Sequence, residues 1–215
     1  MNIYAIGDIH GNLDLLERLM EKLQPDLERD QLVFMGDYID RGPRPQGVVD
    51  YVLRLQKQAP GEHVICLKGN HEAMFLNFLE GRDLELFLFN GGLSTLRDYW
   101  GADWEAVAEL VLPLDHQRFF EELRLYYETP DYLFVHGGIR PGVPLADQGE
   151  EDLLWIRGDF ITSMEDFGKK VIFGHTPFHQ PLLMSNKIGI DTGAAYGNQL
   201  TCLKLPAEEF ISVDH

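Results

Sequence analysis

The sequence predicts an α/β fold in which parallel strands alternate with helices. Short β-rich apolar runs recur along the chain, runs with a helical period separate them, and a Gly or a charged residue follows each apolar run. Continuous apolar runs of this length are typical of central strands that are buried on both faces. A β-α-β-α-β order makes the strands parallel and packs the helices against the sheet.

Five apolar runs share this design, namely NIYAIGDIHG, QLVFMGDYIDRG, HVICLKGNHE, DYLFVHGG and KKVIFGHTP. The segment NLDLLERLMEKLQ lies between the first two runs, and PQGVVDYVLRLQKQ lies between the second and third. Both segments are apolar at every third or fourth residue, which indicates amphipathic helices. Pro25 and the pair Pro60-Gly61 are expected to end these helices.

The length of 215 residues fits one domain, and we predict a single domain over residues 1–215. Residues 72–128 have a helical pattern without strong strand signals, so they are expected to form a helical insertion within that domain. The phenylalanines expected in the core of this insertion are Phe75, Phe78, Phe87, Phe89, Phe119 and Phe120. After Gly174, the runs PLLMS, KIGIDTG and QLTCLKL predict a hairpin-like second sheet.

The composition limits the classes of partner. A net charge of −17 argues against binding to nucleic-acid phosphates or to an anionic membrane surface. Cys66 and Cys202 both lie in apolar runs and are expected to be buried free thiols rather than a disulfide. The sequence shows no leader pattern and no apolar run of membrane-spanning length, so we expect a soluble cytoplasmic protein.

Polar residues that can bind metals follow the predicted strands. Ligands gather at the carboxyl ends of parallel strands, and the residues predicted there are Asp8, His10, Asp37, Asp40, Arg41, Asn70, His71, His136 and His175. Each of them alone has an ordinary explanation as a helix cap, a turn residue or a hydrogen-bonded His. Five strands that all end in such groups instead predict a metal centre.

The donor types narrow the choice of metal. Carboxylates, imidazoles and one amide oxygen, without a thiolate, favour Mn, Fe or Zn over Cu(I) or a structural zinc site. Two divalent ions about 3.5–4 Å apart can clamp the attacking and leaving oxygens of a phosphoryl displacement. The turn Asp191-Thr192-Gly193 is expected to support the sheet outside this site, and His63, His116, His179 and His215 are expected to titrate in solvent.

Five motifs carry a resemblance to a known family. GDIHG, GDYIDRG, GNHE, HGG and GHTP occur in the order and approximate spacing of the phosphoprotein phosphatase (PPP) family of metallophosphoesterases, from Gly7 to Pro177. The short length and the LLWIR segment resemble the small bacterial and phage lambda-type serine/threonine protein phosphatases. The resemblance implies the calcineurin-like metallophosphoesterase fold, a central β-sandwich flanked by helices (α/β/β/α) with a helical insertion.

The resemblance also implies a ligand set, whose members are Asp8, His10, Asp37, Asn70, His136 and His175. Asp8 and His10 are expected to hold the first metal ion, Asp37 to bridge, and the other three to complete the second. The cofactors implied are two divalent ions, most naturally Mn²⁺, with iron or zinc as alternatives.

The remaining motif residues are implied in catalysis and phosphate binding. A hydroxide that bridges the two ions attacks phosphorus in line, so no covalent phosphoenzyme forms. His71, held as imidazolium by Asp40, donates a proton to the leaving oxygen as general acid. Arg41 and Arg157 bind the substrate phosphate bidentately, and Glu72 is expected to brace the loop.

The resulting expectation is a metal-dependent phosphomonoesterase that acts on phosphoproteins or phosphopeptides at Ser/Thr, with Tyr as a further target. The alternative on the same dimetal site is a dinucleoside polyphosphate hydrolase, against which Asp40, Arg41 and Glu72 are taken as evidence. The net charge and Pro177 disfavour a nuclease, and the intact residue set disfavours a non-catalytic scaffold. The short tail after the last motif predicts no regulatory subunit of the eukaryotic type.

Overall fold

The structure is a computed structural model that describes residues 1–215. Its strands are β1 (Ile3–Ile6), β2 (Gln31–Phe34), β3 (Val64–Cys66), β4 (Tyr126–Glu128), β5 (Tyr132–Val135), β6 (Lys170–Phe173), β7 (Leu182–Leu183), β8 (Lys187–Gly189), β9 (Gln199–Leu205) and β10 (Glu209–Asp214). Its helices are α1 (Leu13–Leu23), α2 (Pro45–Gln58), α3 (Asn70–Leu79), α4 (Leu84–Phe89), α5 (Leu93–Trp100), α6 (Leu114–Glu121), α7 (Glu150–Trp155) and α8 (Gly158–Thr162).

The first sheet has the strand order β10-β9-β1-β2-β3. Strands β1, β2 and β3 are parallel, and the crossovers between them contain α1 and α2. Strand β9 pairs antiparallel with β1, and β10 pairs antiparallel with β9. The predicted β-α-β-α-β unit is therefore present, with its carboxyl ends at one edge.

The second sheet has the order β4-β5-β6-β8-β7. Strands β5, β6 and β8 are parallel, and β4 and β7 pair antiparallel at the two edges. The five predicted motif strands are thus divided between the two sheets. The expectation that the last three runs form one hairpin-like sheet is wrong for QLTCLKL, because this strand covers the free edge of β1.

The two sheets pack face to face and form the central sandwich. Alternate residues of each strand point to opposite faces, and the layer between the sheets includes Ile3, Ala5, Val33, Ile65, Phe134, Ile172, Ile188 and Leu203. The outer face of the first sheet packs against α1, α2 and the helices that follow β3. The outer face of the second packs against α7 and α8. The predicted α/β/β/α architecture of the calcineurin-like fold is confirmed.

The segment after β3 is helical as predicted, but its last residues form β4. Phe75 lies at the centre of its aromatic core, with ring centroids 5.5 Å from Phe87 and 5.1 Å from Phe120. Phe89 is an exception to the expected core, because it is 89% exposed. It ends the short helix α4, whose inward face is already occupied by Phe87.

Two other expectations concern buried side chains. His116 is buried rather than solvated, since Tyr99 and Asp50 hydrogen-bond its two ring nitrogens and so satisfy them without water. Cys66 and Cys202 are buried free thiols, as expected.

No helix has both the length and the apolar character needed to cross a lipid bilayer.

Candidate metal centre

The loops after the parallel strands adopt an uncommon backbone conformation. Left-handed φ angles of 48° to 69° occur at His10, Asp37, Asp40, Arg41 and His175. Non-glycine residues rarely take positive φ, and such strain clusters at functional sites. All five belong to the predicted site, and the sharp turns direct their side chains toward one edge of the sandwich.

One group of side chains surrounds the second oxygen of Asp37. The Nε2 atom of His10 lies 3.4 Å from Asp37 Oδ2, and the Nε2 atom of His71 lies 4.0 Å from the same oxygen. The Nδ1–H of His10 donates to the carbonyl of Ile39 at 2.9 Å. That hydrogen bond fixes the tautomer and leaves Nε2 without a proton, which is the form of the nitrogen that can bind a cation.

A second group surrounds the other oxygen of Asp37. His136 Nε2 lies 3.4 Å from Asp37 Oδ1 and 3.0 Å from Asn70 Oδ1. His175 Nδ1 lies 2.8 Å from Asn70 Oδ1. The Nδ1–H of His136 donates to the Met35 carbonyl at 2.8 Å, again leaving Nε2 as the free donor atom. Asp37 is therefore shared by two groups that can each hold a metal ion.

Asp8 joins the two sheets at this edge. Its Oδ2 accepts the backbone N–H of His175 at 2.9 Å, while its Oδ1 is buried without any hydrogen-bond partner. A buried carboxylate oxygen without a partner is costly unless a cation satisfies it. This observation, together with a donor set of carboxylate, imidazole and amide groups, fits divalent metal ions.

Glycines allow the backbone to approach these carboxylates. A Cβ atom on Gly69 would lie 2.2 Å from Asp37 Oδ1, and one on Gly174 would lie 2.2 Å from Asp8 Oδ1. Both distances are well inside van der Waals contact. Any larger residue at either position would therefore displace the carboxylate.

Burial keeps the predicted ligand imidazoles neutral. It lowers the pKa of His10 to about 3 and that of His175 to about 2, and it also lowers the pKa of His136. Neutral imidazole is the form that binds metals. The histidines are thus in the protonation state that the predicted ligand role requires.

The pKa values of the two central carboxylates, Asp8 and Asp37, are shifted in opposite directions. Burial raises the pKa of Asp8, and the charges of Asp191 and Asp37 raise it further. Burial also acts to raise the pKa of Asp37, but the imidazoles of His136 and His71 outweigh it and leave the pKa below its ordinary value. Mutual repulsion among buried carboxylates is relieved when cations bind between them.

His71 and Asp40 form a buried pair, as predicted. His71 Nδ1 lies 2.6 Å from Asp40 Oδ2, and both side chains are almost fully buried. Burial lowers the pKa of His71, but Asp37 and the hydrogen bond to Asp40 outweigh it and leave the pKa raised. Thr95 on α5 donates to Asp40 Oδ1 at 2.5 Å, a contact that no motif in the sequence indicates.

The two predicted arginines reach the cluster from opposite sheets. Arg41 Nη1 donates to His10 Nε2 at 2.8 Å, and Arg157 Nη1 donates to the carbonyl of His175 at 3.0 Å. The structure thus brings every predicted site residue to one edge of the sandwich. It also places the centre of the Tyr196 ring, which no motif in the sequence indicated, 5.3 Å from the Arg41 guanidinium carbon.

Glu72 braces the loop after β2, as expected. Its Oε2 accepts the backbone N–H groups of Asp37 and Gly69, both at 2.9 Å, and its Oε1 accepts the N–H of Tyr38 at 2.9 Å. The carboxylate is completely buried. Asp191, expected outside the site, has its buried carboxylate close enough to Asp8 to raise the pKa of that residue.

The chain is similar to curated bacterial relatives over nearly its whole length. An asymmetrical bis(5'-nucleosyl)-tetraphosphatase PrpE of Bacillus velezensis is 30% identical over 244 residues, which cover 97% of this chain and 91% of the relative. The PrpE of Oceanobacillus iheyensis is 28% identical over 243 residues and covers 99% and 92%. A crystal structure of a proposed diadenosine tetraphosphatase superposes with a TM-score of 0.77 at 23% identity, covering 99% of this chain and 93% of that one.

These relatives correct the expected substrate. The expectation of a serine/threonine protein phosphatase with a phosphoprotein or phosphopeptide substrate is wrong, because relatives that match almost end to end are named for dinucleoside tetraphosphates. Asp40 and Glu72, two of the residues taken as evidence against this alternative, are completely buried and hold His71 and backbone amides. Their side chains support the site and are not available to select a substrate, and Arg41 is hydrogen-bonded to His10.

A family model described as calcineurin-like phosphoesterase matches residues 1–203, which is most of the chain. The family consists of metal-dependent phosphoester hydrolases, and the grouped Asp and His side chains at the edge of the sandwich suit that chemistry. The chain belongs to the calcineurin-like phosphoesterase family.

Proposed function

We propose that this protein hydrolyses dinucleoside tetraphosphates asymmetrically, with a pair of divalent metal ions. The observation that carries the proposal is the sharing of Asp37 between two buried groups of metal-binding side chains. The names of the relatives add the substrate class. Asymmetrical cleavage divides the four phosphates into three and one, so diadenosine tetraphosphate would give ATP and AMP.

In this proposal Asp8 and His10 would hold the first ion, Asn70, His136 and His175 would hold the second, and Asp37 would be shared by both. The proposal is supported by the unprotonated Nε2 atoms of His10 and His136 and by the unpartnered Oδ1 of Asp8. Hard oxygen and imidazole donors suit Mn²⁺, which we take as the working metal, although the same donors also accept iron or zinc. When bound, the ions would lower the pKa of water and polarise the phosphoryl group.

His71 is proposed to protonate the leaving oxygen. Its Nδ1–H is held by Asp40, and its raised pKa favours the imidazolium, in which Nε2 also carries a proton and faces Asp37. The phosphate leaving group of an anhydride is a much weaker base than the alkoxide of serine. Proton donation is therefore less demanding for a dinucleoside polyphosphate than for a phosphoprotein, and water is incorporated at one phosphorus while the bridging oxygen departs with the other.

Arg41 and Arg157 are proposed to bind the phosphate chain. Their guanidinium groups lie next to His10 and His175, which belong to different sheets and different ligand groups. A guanidinium offers parallel N–H donors that match phosphoryl oxygens. Two such groups on either side of the metal pair suit an extended substrate that crosses it.

The test is product analysis by ion-exchange chromatography. The full chain is incubated with diadenosine tetraphosphate, with added Mn²⁺ in one arm and with EDTA in the other. The proposal predicts equal amounts of ATP and AMP in the Mn²⁺ arm and no turnover with EDTA. Two ADP per substrate would contradict asymmetrical cleavage, and the absence of any metal-dependent product from either this substrate or p-nitrophenyl phosphate would favour a non-catalytic scaffold.

A further inference from the structure

The ring of Tyr196 lies beside the candidate metal centre but has no part in the chemistry described above. The guanidinium carbon of Arg41 is 5.3 Å from the centre of this ring, and the same guanidinium reaches His10. Tyr196 is nevertheless 66% exposed. An exposed aromatic ring next to a phosphate-binding cation is a surface on which a flat ligand can stack.

The turn that carries Tyr196 is held by hydrogen bonds. Asn198 Nδ2 donates to the carbonyl of Thr192 at 2.7 Å, and the N–H of Gly193 donates to Asp191 Oδ1 at 2.9 Å. The N–H of Tyr196 itself donates to the carbonyl of Gly193 at 2.9 Å. A ring on a fixed turn loses little conformational freedom when a ligand binds, which favours a binding role.

We infer that Tyr196 is the stacking surface for one nucleobase of the dinucleoside polyphosphate, an inference that rests on the proposed function. In a nucleotide only a ribose separates the base from its first phosphate. A phosphate held by Arg41 therefore leaves the base within reach of the adjoining ring. Because every base has a π-face, this stack selects for a nucleoside without selecting a particular base.

Tyr196 is thus a specificity-determining residue and not a catalytic one. The phosphate chain has no flat apolar group and gains nothing from the ring, whereas the base does. Loss of the ring is expected to weaken the binding of the dinucleotide and to leave phosphate binding at Arg41 and the metal ions largely intact. This difference separates the stacking role from a role in orienting Arg41.

The test uses the Mn²⁺-loaded full chain and the substitutions Tyr196→Ala and Tyr196→Phe. For each variant, KM and kcat are measured with diadenosine tetraphosphate, and Ki is measured for inorganic tripolyphosphate, which has no base. Tyr196→Ala should raise KM for the dinucleotide about 10-fold, the effect expected for one lost base–aromatic stack. Its kcat and tripolyphosphate Ki should change much less, and Tyr196→Phe, which keeps the ring, should resemble the wild type.

Tyr51→Ala is a matched control. On α2, the guanidinium carbon of Arg54 lies 5.0 Å from the centre of the Tyr51 ring, so this variant removes another tyrosine stacked on arginine. It should leave both KM for the dinucleotide and Ki for tripolyphosphate unchanged. Equal weakening of dinucleotide and tripolyphosphate in Tyr196→Ala would mean that the ring only orients Arg41, and an unchanged KM would also overturn the inference. A wild type that cleaves p-nitrophenyl phosphate but no dinucleotide would instead refute the proposed function.

Discussion

At the candidate centre, both the side chain and the backbone of Asp37 are constrained by their neighbours. Its two oxygens face different imidazole groups, its own N–H is held by Glu72, and its φ angle is 53°. A carboxylate offers two charged oxygens to two cations, whereas an amide offers one neutral oxygen. The bridging role proposed for Asp37 therefore depends on the charge as well as the shape of the side chain.

The substitution Asp37→Asn is expected to remove most of the bound metal. The amide keeps the volume of the side chain but loses the negative charge that draws both ions together. Metal content is measured by inductively coupled plasma mass spectrometry after gel filtration, with the wild type as reference. Occupancy equal to that of the wild type would contradict bridging.

The substitution His71→Asn is expected to lower activity while leaving the bound metal in place, in contrast to Asp37→Asn. Metal content should stay near that of the wild type, because His71 is proposed to donate a proton and not to hold an ion. The loss of general acid catalysis should lower kcat for diadenosine tetraphosphate toward the lower end of the about 10²–10⁴-fold range, because its phosphate leaving group is a weak base. If the variant instead lost its metal ions, His71 would be a ligand and the assignment of roles would fail.

At this scale the sequence predicted the motif residues, including the brace Glu72, but not the supports that come from outside the motifs. Asp8, His10 and Asn70 could be found because each directly follows an apolar strand, where ligands gather. Thr95 and Tyr196 could not, since they reach the site from α5 and from the turn before β9, through contacts that depend on the folded packing. A long-range contact of this kind leaves no periodic pattern in the sequence.

At the scale of elements, the start of α3 connects three parts of the site. Its first turn directs Asn70 toward the ligands from the second sheet, His71 toward Asp40, and Glu72 toward the loop after β2. Successive residues on a helix point in directions about 100° apart, as the 3.6-residue turn requires. The GNHE motif therefore serves metal binding, proton transfer and loop support from a single turn.

The substitution Glu72→Ala is expected to destabilise the fold by about 3 kcal/mol or more, because four buried backbone N–H groups would lose their acceptor. Glu72→Gln, which keeps one oxygen acceptor, should cost less. The free energy of unfolding is measured by urea titration of both variants and the wild type in EDTA, so that metal binding does not contribute. A change below about 0.5 kcal/mol, as at an ordinary surface position, would show that Glu72 does not brace the loop.

Strand prediction succeeded where burial on both faces produced continuous apolar runs, as in β1, β2, β5 and β6. It failed in partner choice for β9, because an apolar run that is buried along most of its length does not specify which sheet edge it pairs with. Hydrophobic pattern specifies which face is buried and leaves the neighbouring strand undetermined. Phe89 shows a similar limit of prediction in a helix, because an apolar residue was expected to be buried and its side chain is exposed.

At the scale of the whole molecule, the candidate centre joins the two sheets. Asp8, His10, Asp37 and Asn70 follow strands of the first sheet, and His136 and His175 follow strands of the second. Ions bound between them would link the two halves of the sandwich. Because ligands that bind only the folded state stabilise it, metal binding is expected to contribute to the stability of the entire domain.

Chelation is therefore expected to lower the melting temperature. At a free metal concentration about 100 times its Kd, binding contributes about 2.7 kcal/mol, which corresponds to roughly 5–10 °C for a chain of this size. Differential scanning calorimetry with EDTA, followed by excess Mn²⁺, measures the loss and the recovery. Asp37→Asn serves as the control and should show little response, and an equal response in that variant would place the stabilising ions elsewhere.

The most direct test of the account is a comparison of kcat/KM in the presence of Mn²⁺ for diadenosine tetraphosphate and for phosphoserine, phosphothreonine and phosphotyrosine peptides. The metal pair and the arginines act on any phosphoryl group, so these substrates differ in their contacts with the nucleoside and in the basicity of the leaving oxygen. The account predicts that the dinucleotide is preferred over every peptide by about 10-fold or more, the scale of a single well-placed contact. Peptide turnover equal to or faster than that of the dinucleotide would contradict it.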